Sequence, residues 1–370
     1  MKKRYMPNTN WYINKLEIAH GNHSPLKPME GLRGLAVFLV FLVHYCSLFE
    51  PYIMTDTISA QFLYILKNVG NIGVDLFFVL SGFLIYGTLL KKTKTLFIPY
   101  FKRRLVRIYP TFLVVFTIYL ILSFLIPAES KLPDSGLDKF IFIIQNLLLL
   151  PGIFEVKAII TVAWSLSFEV FYYISIPIVL GLLKMRAWRF QNRVTFWLSV
   201  SVVGFLLFEI FGDPADYTRL LMFISGILLY EVYTQKSFKL PNFFGTLSLI
   251  FSMLFYHFSS EIPSIPTLSV IILFVCFFFL CLEAFASNNG SALWLSFSPL
   301  RWLGNMSYSY YLIHGITLKA LFLFMTMIIP AAEQFDYQFW LILPIFFIIT
   351  LISSFILYIT IEKPLSIDKK

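Results

Sequence analysis

The run "MEGLRGLAVFLVFLVHYC", residues 29–46, sets a guanidinium, Arg33, at one end of an apolar segment and an imidazole, His44, deep inside it. A helix turns 100° per residue, so the eleven-residue separation comes to about 20° past three full turns and puts both groups on one face. The imidazole then stands about 16 Å further along that face, with Val37 and Val40 between the two as small residues suited to line a passage. A neutral imidazole serves as a general base or as a nucleophile, and a guanidinium grips an anion in a fixed fork. Ionisable groups are costly in hydrocarbon and ordinarily face a cavity or pathway there.

Other candidates lie in "GNIGVDLFFVLSGF", which puts Asp75 about a turn into its segment, and in "VAWSLSFEVFYY", which puts Glu169 six residues in with Trp164, Ser165 and Tyr173 near enough to bond it. Counted from the segment ends, His44, Asp75 and Glu169 share an outer layer, an acid/base constellation in outline. Asp75 at a helix start is also what the helix dipole favours. On the opposite side, "FKRRLVRIYP" carries Arg104 and Arg107 three apart on one face. They suit a phosphate clamp, or else snorkelling anchors for lipid head groups. His314 sits midway along a later segment near Ser307, Tyr308 and Tyr311, either as a functional group or as part of a hydrogen-bond network joining helices. Cys46, Cys276 and Cys281 have no paired spacing for a disulfide or a metal and read as inert buried thiols. No metal site is expected.

The elements that must position these groups follow from composition. With 58% hydrophobic and only 13% charged residues in 370, polar side chains are too few to coat a soluble surface, so the chain is an all-α, polytopic integral membrane protein. Ten segments are long enough to cross hydrocarbon: 31–49, 71–90, 107–126, 163–183, 194–211, 217–234, 243–258, 266–286, 306–328 and 338–361. The net charge of +9 does not signal nucleic acid, because the lysines and arginines other than Lys67, Lys131, Lys139, Lys157, Arg219 and Lys319 fall in the tails and in alternate loops. This positive-inside pattern puts both termini in the cytoplasm, and no cleavable signal peptide is expected. A tail of residues 1–30 precedes a transmembrane domain, 31–363, and a tail of 364–370 follows. The segment 139–152, too short to span, reads as a re-entrant or interfacial helix in an outer loop, 127–162. Nothing in the pattern sets an oligomeric state.

Six stretches in order, "MEGLRGLAVFLVFLVH", "GVDLFFVLSGFLI", "RRLVRIYP", "WSLSFEVFYY", "LGNMSYSYYLIH" and "IEKP", resemble the acyltransferase-3 family of membrane-bound carbohydrate O-acyltransferases over nearly the whole chain. The resemblance implies a ten-helix enzyme of the cytoplasmic membrane. It would pass an acyl group, most simply acetyl, from cytoplasmic acyl-CoA to a hydroxyl of an envelope polysaccharide or glycolipid. It makes Arg33 and His44 the functional pair, puts Arg104 and Arg107 at the CoA side, and maps the glutamate of the "WSL" motif on Glu169 and the "YLIH" histidine on His314. Some members add an extracellular hydrolase-like domain; this chain stops soon after its last span, so the acceptor is expected to meet the membrane core or a separate protein. The reading from another class is a transporter or flippase for a glycan intermediate, which ordinarily shows repeats and broken helices about a midplane site. Neither is visible in the sequence.

Overall fold

Each of the ten apolar segments is helical, because in hydrocarbon a helix is the way for one segment to satisfy its own backbone polar groups. The computed structural model describes residues 16–17, 27–54, 56–91, 96–212, 217–236, 238–259, 266–328 and 336–368. Of the predicted tails, residues 1–15, 18–26 and 369–370 lie outside the described residues. The helices are α1 Lys27–Phe49, α2 Ile58–Asn71, α3 Gly73–Leu90, α4 Phe97–Leu125, α5 Gly136–Leu147, α6 Trp164–Leu182 and α7 Phe190–Phe211. They continue with α8 Met222–Gln235, α9 Phe244–Ser259, α10 Pro266–Ala286, α11 Ser291–Leu295, α12 Ser298–Asn305, α13 Ser307–Ile328 and α14 Asp336–Leu357. A π-helical stretch, Tyr358–Ile367, extends α14.

Among the described residues, eight stretches are long and apolar enough to cross a membrane, rather than ten. The predicted spans 217–234 and 243–258 yield the 14-residue α8 and the 16-residue α9. Helix α8 is buried from Met222 to Glu231, so the bundle around it, not lipid, sets its length. The structure also contains α2, which no apolar run announced. It is amphipathic, and Thr57 caps it by accepting from the amide of Ala60 at 3.2 Å.

Helix α1 is the centre of the site-bearing half, packed by α2, α3, α12 and α13. Its glycines let backbones touch: a Cβ at Gly304 of α12 would lie 1.7 Å from the Glu30 carbonyl oxygen, and one at Gly34 would lie 2.0 Å from that of Leu300. Small residues at such crossings are how membrane helices approach closely. Gly304→Ala is therefore expected to force α12 off α1 and cost about 3 kcal/mol or more. The check is thermal unfolding in detergent, where an unchanged midpoint would contradict the close contact.

Buried carboxylates away from the site serve the fold. Glu231 takes a forked pair from Arg193 at 2.6 and 3.0 Å and a bond from the Tyr86 hydroxyl at 2.5 Å. Glu283 accepts from the amides of Phe243, Gly245 and Ser291 and from the Ser291 hydroxyl, fixing the start of α9. Glu30 receives Arg301 at 2.7 Å, and the same guanidinium reaches Glu17 at 2.9 Å. Each of these carboxylates is paired with a guanidinium or held by several hydrogen bonds, as burial demands.

The segment between α4 and α6 folds back into the bundle. Helix α5 has 12 residues, about 18 Å of rise against a hydrocarbon thickness of about 30 Å. After it, Leu149, Ile159, Ile160, Val162 and Ala163 are buried. Asn146 holds this stretch, donating to the carbonyls of Phe142 and Lys157 and accepting from the amide of Ile159 at 2.8 Å. The Ser167 hydroxyl faces the carbonyls of Leu149 and Pro151. As a result α6 starts inside the protein.

Candidate functional site

Two cavities lie along the α1 face. The first, about 90 Å³, is lined by Arg33 of α1, Arg107 of α4, Glu169 and Tyr173 of α6, and Tyr308 and Tyr311 of α13, with Phe77, Phe78 and Ser81 of α3 closing one side. The Tyr173 hydroxyl donates to Glu169. Arg104 lies over the rings of Tyr100 and Tyr173, 5.4 and 5.2 Å from their centres. Arg33 is in electrostatic range of Arg107, Glu169 and Glu362. Among the described residues, neither Arg33 nor Arg107 forms an ion pair with a carboxylate, in contrast to Arg193, Arg219 and Arg301. Two neighbouring guanidiniums without carboxylate partners suit a bound anion.

The second cavity, about 400 Å³, contains His44 of α1 with Tyr119, Ser123, Glu129, Lys131, Thr161, Val162, Gly315 and Lys319. Its rim is polar and tied down. Glu129 pairs with Lys319 at 3.1 Å. Lys131 donates to the carbonyls of Ala158 and Ile159 and to the Thr161 hydroxyl at 2.8 Å, and its burial lowers the ammonium pKa from the usual lysine value. His314 of α13 stands behind His44, with ring centres 5.1 Å apart. The cavities share a wall at Val162 and Tyr311: the Tyr311 hydroxyl donates to the Val162 carbonyl at 3.0 Å and lies 2.7 Å from the Ser165 hydroxyl.

Of the sequence-predicted residues, Arg33, Arg107, Glu169, Tyr173 and Ser165 meet in the first cavity, and His44 belongs to the second. The predicted outer layer of His44, Asp75 and Glu169 does not form. Glu169 lies at the depth of Arg33, because Thr161 and Val162, at the start of its helical run, already stand beside His44. Asp75 is 1% exposed and takes Arg219 at 3.1 Å, an interhelical pair apart from both cavities. Val37 and Val40 are packed in the core rather than lining a passage. Arg104 and Arg107 are not at a helix mouth. Helix α4 begins at Phe97, so Arg107 is about 15 Å along it. Hydropathy marks where a segment enters hydrocarbon, not where its helix begins.

Sequence reasoning gave no role to Glu362, which is 1% exposed on the π-helical stretch and accepts from the Ser309 amide at 3.0 Å and hydroxyl at 2.6 Å. It is in electrostatic range of Arg107 and Arg33, and the "IEKP" stretch was its signal. Lys131, Glu129 and Thr161 were also missed. They sit in the connection between α4 and α6, Glu129 and Thr161 in short 3-10 turns, with nothing periodic to mark them.

Residues 27–359 match the family described as acyltransferase domain. Among curated proteins, the acyltransferase MdmB of Streptomyces mycarofaciens is 23% identical over 303 residues, covering 75% of this chain and 76% of its own. The peptidoglycan O-acetyltransferase OatA of Listeria monocytogenes is 30% identical over 279 residues, 66% of this chain. That match spans 44% of the Listeria protein, so the chain corresponds to less than half of it. No solved structure matches the chain.

Proposed function

Since the chain belongs to the acyltransferase 3 family and is a multi-pass membrane acyltransferase, we propose that it moves an acyl group, acetyl in the simplest case, from acyl-CoA to a hydroxyl of a cell-envelope glycan or glycolipid. The observation that carries this reading is the pairing of a cavity lined by two arginines with a histidine cavity along one helix, α1. Arg33 and Arg107 hold the anionic donor, with Arg104 bracing Tyr173 beside them. The thin arm of the donor takes the thioester past the wall of Tyr311, Ser165 and Val162 toward His44. The acceptor enters the larger cavity, whose Glu129, Lys319 and Thr161 keep hydrogen-bonding capacity for a sugar while Lys131 braces the rim. The name of one relative, a peptidoglycan O-acetyltransferase, favours an envelope acceptor. A cytoplasmic acyl-CoA donor places the enzyme, in this reading, in the cytoplasmic membrane.

The chemistry at His44 balances without a metal. The neutral imidazole takes the proton of the acceptor hydroxyl as its oxygen bonds to the acyl carbon. The carbon–sulfur bond breaks, the CoA thiolate takes the proton back from His44, and ester and free CoA leave. The basic ends of α1 and α4 face the cytoplasm in this reading, as the positive-inside pattern requires.

The test uses purified protein in liposomes with acetyl-CoA and an envelope glycan fraction, with thiol release and glycan-bound acetyl measured together. One thiol per ester, dependent on the glycan, is the expected result. No thiol release with acetyl-, propionyl- or succinyl-CoA would refute transfer and leave transport of a glycan intermediate.

A further inference from the structure

The two histidines that meet between α1 and α13 are not equivalent. His44 lines the larger cavity, whereas His314 is 0% exposed and stands outside that lining. A substrate can touch the first and not the second. The Nδ1 of His314 is 2.9 Å from the carbonyl oxygen of Tyr310, one turn earlier on its own helix. A carbonyl only accepts, so this nitrogen carries the proton and donates, and Nε2 is left with a bare lone pair. The ring is held there by Tyr310, stacked on it at 5.4 Å between centres and 16° between planes. Among the described residues, Nε2 is buried with no hydrogen-bond partner.

A buried acceptor left empty costs stability, and its retention calls for a use. A group able to fill it is the N–H of His44, whose ring lies beside that of His314. Two imidazoles joined by an N–H···N bond of about 3 Å have ring centres about 5 Å apart, and these centres are 5.1 Å apart at 58° between planes. Forming the bond calls for a rotation of the His44 ring, and catalytic hydrogen bonds commonly tighten when substrate binds. The carboxylate of the second cavity, Glu129, is already engaged by Lys319 at 3.1 Å.

We infer that His314 is the positioning residue of the transfer: its Nε2 accepts the N–H of His44, fixing the tautomer and ring angle that aim the other His44 nitrogen into the acceptor cavity. This rests on the reading of His44 as base. The partner of that base is then a neutral imidazole rather than a carboxylate. A neutral acceptor orients the ring without adding a buried negative charge to hold the imidazolium. Proton return to the CoA thiolate is correspondingly favoured.

The experiment compares His314→Leu, His314→Gln and His314→Asn in membrane vesicles that contain their own acceptor, with radiolabelled acetyl-CoA as the probe. The glutamine amide places an acceptor where Nε2 stands, asparagine places one near Nδ1 only, and leucine has none. The leucine variant is expected to lose about 30-fold in maximal rate, the order of effect seen when a group orienting another is removed, with the KM for acetyl-CoA within about twofold. Glutamine should recover most of that rate and asparagine little. Equal rates for glutamine and asparagine, or a leucine effect confined to KM, would overturn the inference. Should the leucine protein fail to fold, the order of glutamine over asparagine decides alone. An inactive His44→Ala beside a fully active His314→Leu removes the positioning role only, while an active His44→Ala removes the base itself.

Discussion

His44→Ala is expected to lower acyl transfer by about 10³-fold or more while leaving donor binding in place, since removal of a positioned general base costs about 10² to 10⁴ and no other imidazole reaches the acceptor cavity among the described residues. Folding should survive, because His44 is half-buried and no hydrogen bond ties it to another described residue. Donor binding should survive because Arg33 lies eleven residues earlier on α1, about 16 Å away along the axis. The measurement is acetyl transfer to glycan together with equilibrium binding of acetyl-CoA. A well-folded His44→Ala protein with full transfer would return this histidine to a structural role.

The second large effect belongs to the arginines, and the structure orders them. Arg33 and Arg107 line one cavity without a carboxylate partner among the described residues, whereas Arg104 is spent on the faces of Tyr100 and Tyr173. The Arg33→Ala, Arg107→Ala pair should therefore lose about 100-fold in kcat/KM for acetyl-CoA, expressed mainly in KM, because a charge-assisted fork to an anion contributes about 1.5 to 3 kcal/mol per bond. Arg107→Lys should recover little, since an ammonium cannot reproduce the planar fork. Arg104→Ala should cost less, acting through the Tyr173 ring that it supports. If Arg104→Ala proves the more damaging and the double variant binds acetyl-CoA normally, the anion site lies elsewhere.

Much of this architecture was legible in the order of residues. Apolar length alone marks the helical segments, because hydrocarbon leaves a lone segment no other way to satisfy its backbone, and all ten marked segments are helical. The shared face of Arg33 and His44 follows from helical geometry, and the chain's motifs name its family. What sequence could not supply was depth. Counting from segment ends assumed that every helix begins at the membrane surface, but α4 begins well before its apolar run and α6 begins beneath a buried loop. Those offsets move Glu169 from the histidine layer to the arginine layer.

Partners were equally beyond reach of the sequence. Asp75, Glu169 and His314 are alike as ionisable residues in apolar segments, yet Asp75 is bound to Arg219, 144 residues away, and His314 to the neighbourhood of His44. A one-dimensional pattern fixes the face on which a side chain stands relative to its own helix. Which helix that face meets, and at what height, depends on close crossings such as that of Gly34 and Gly304, where backbone contact sets both the neighbour and the register. The sequence by itself therefore determined the ten apolar helices, the membrane setting and the identities of the reactive groups. Only tertiary packing decided which charges pair off to hold the fold and which are left facing a cavity, because the energy of a buried charge is settled by what lies across from it.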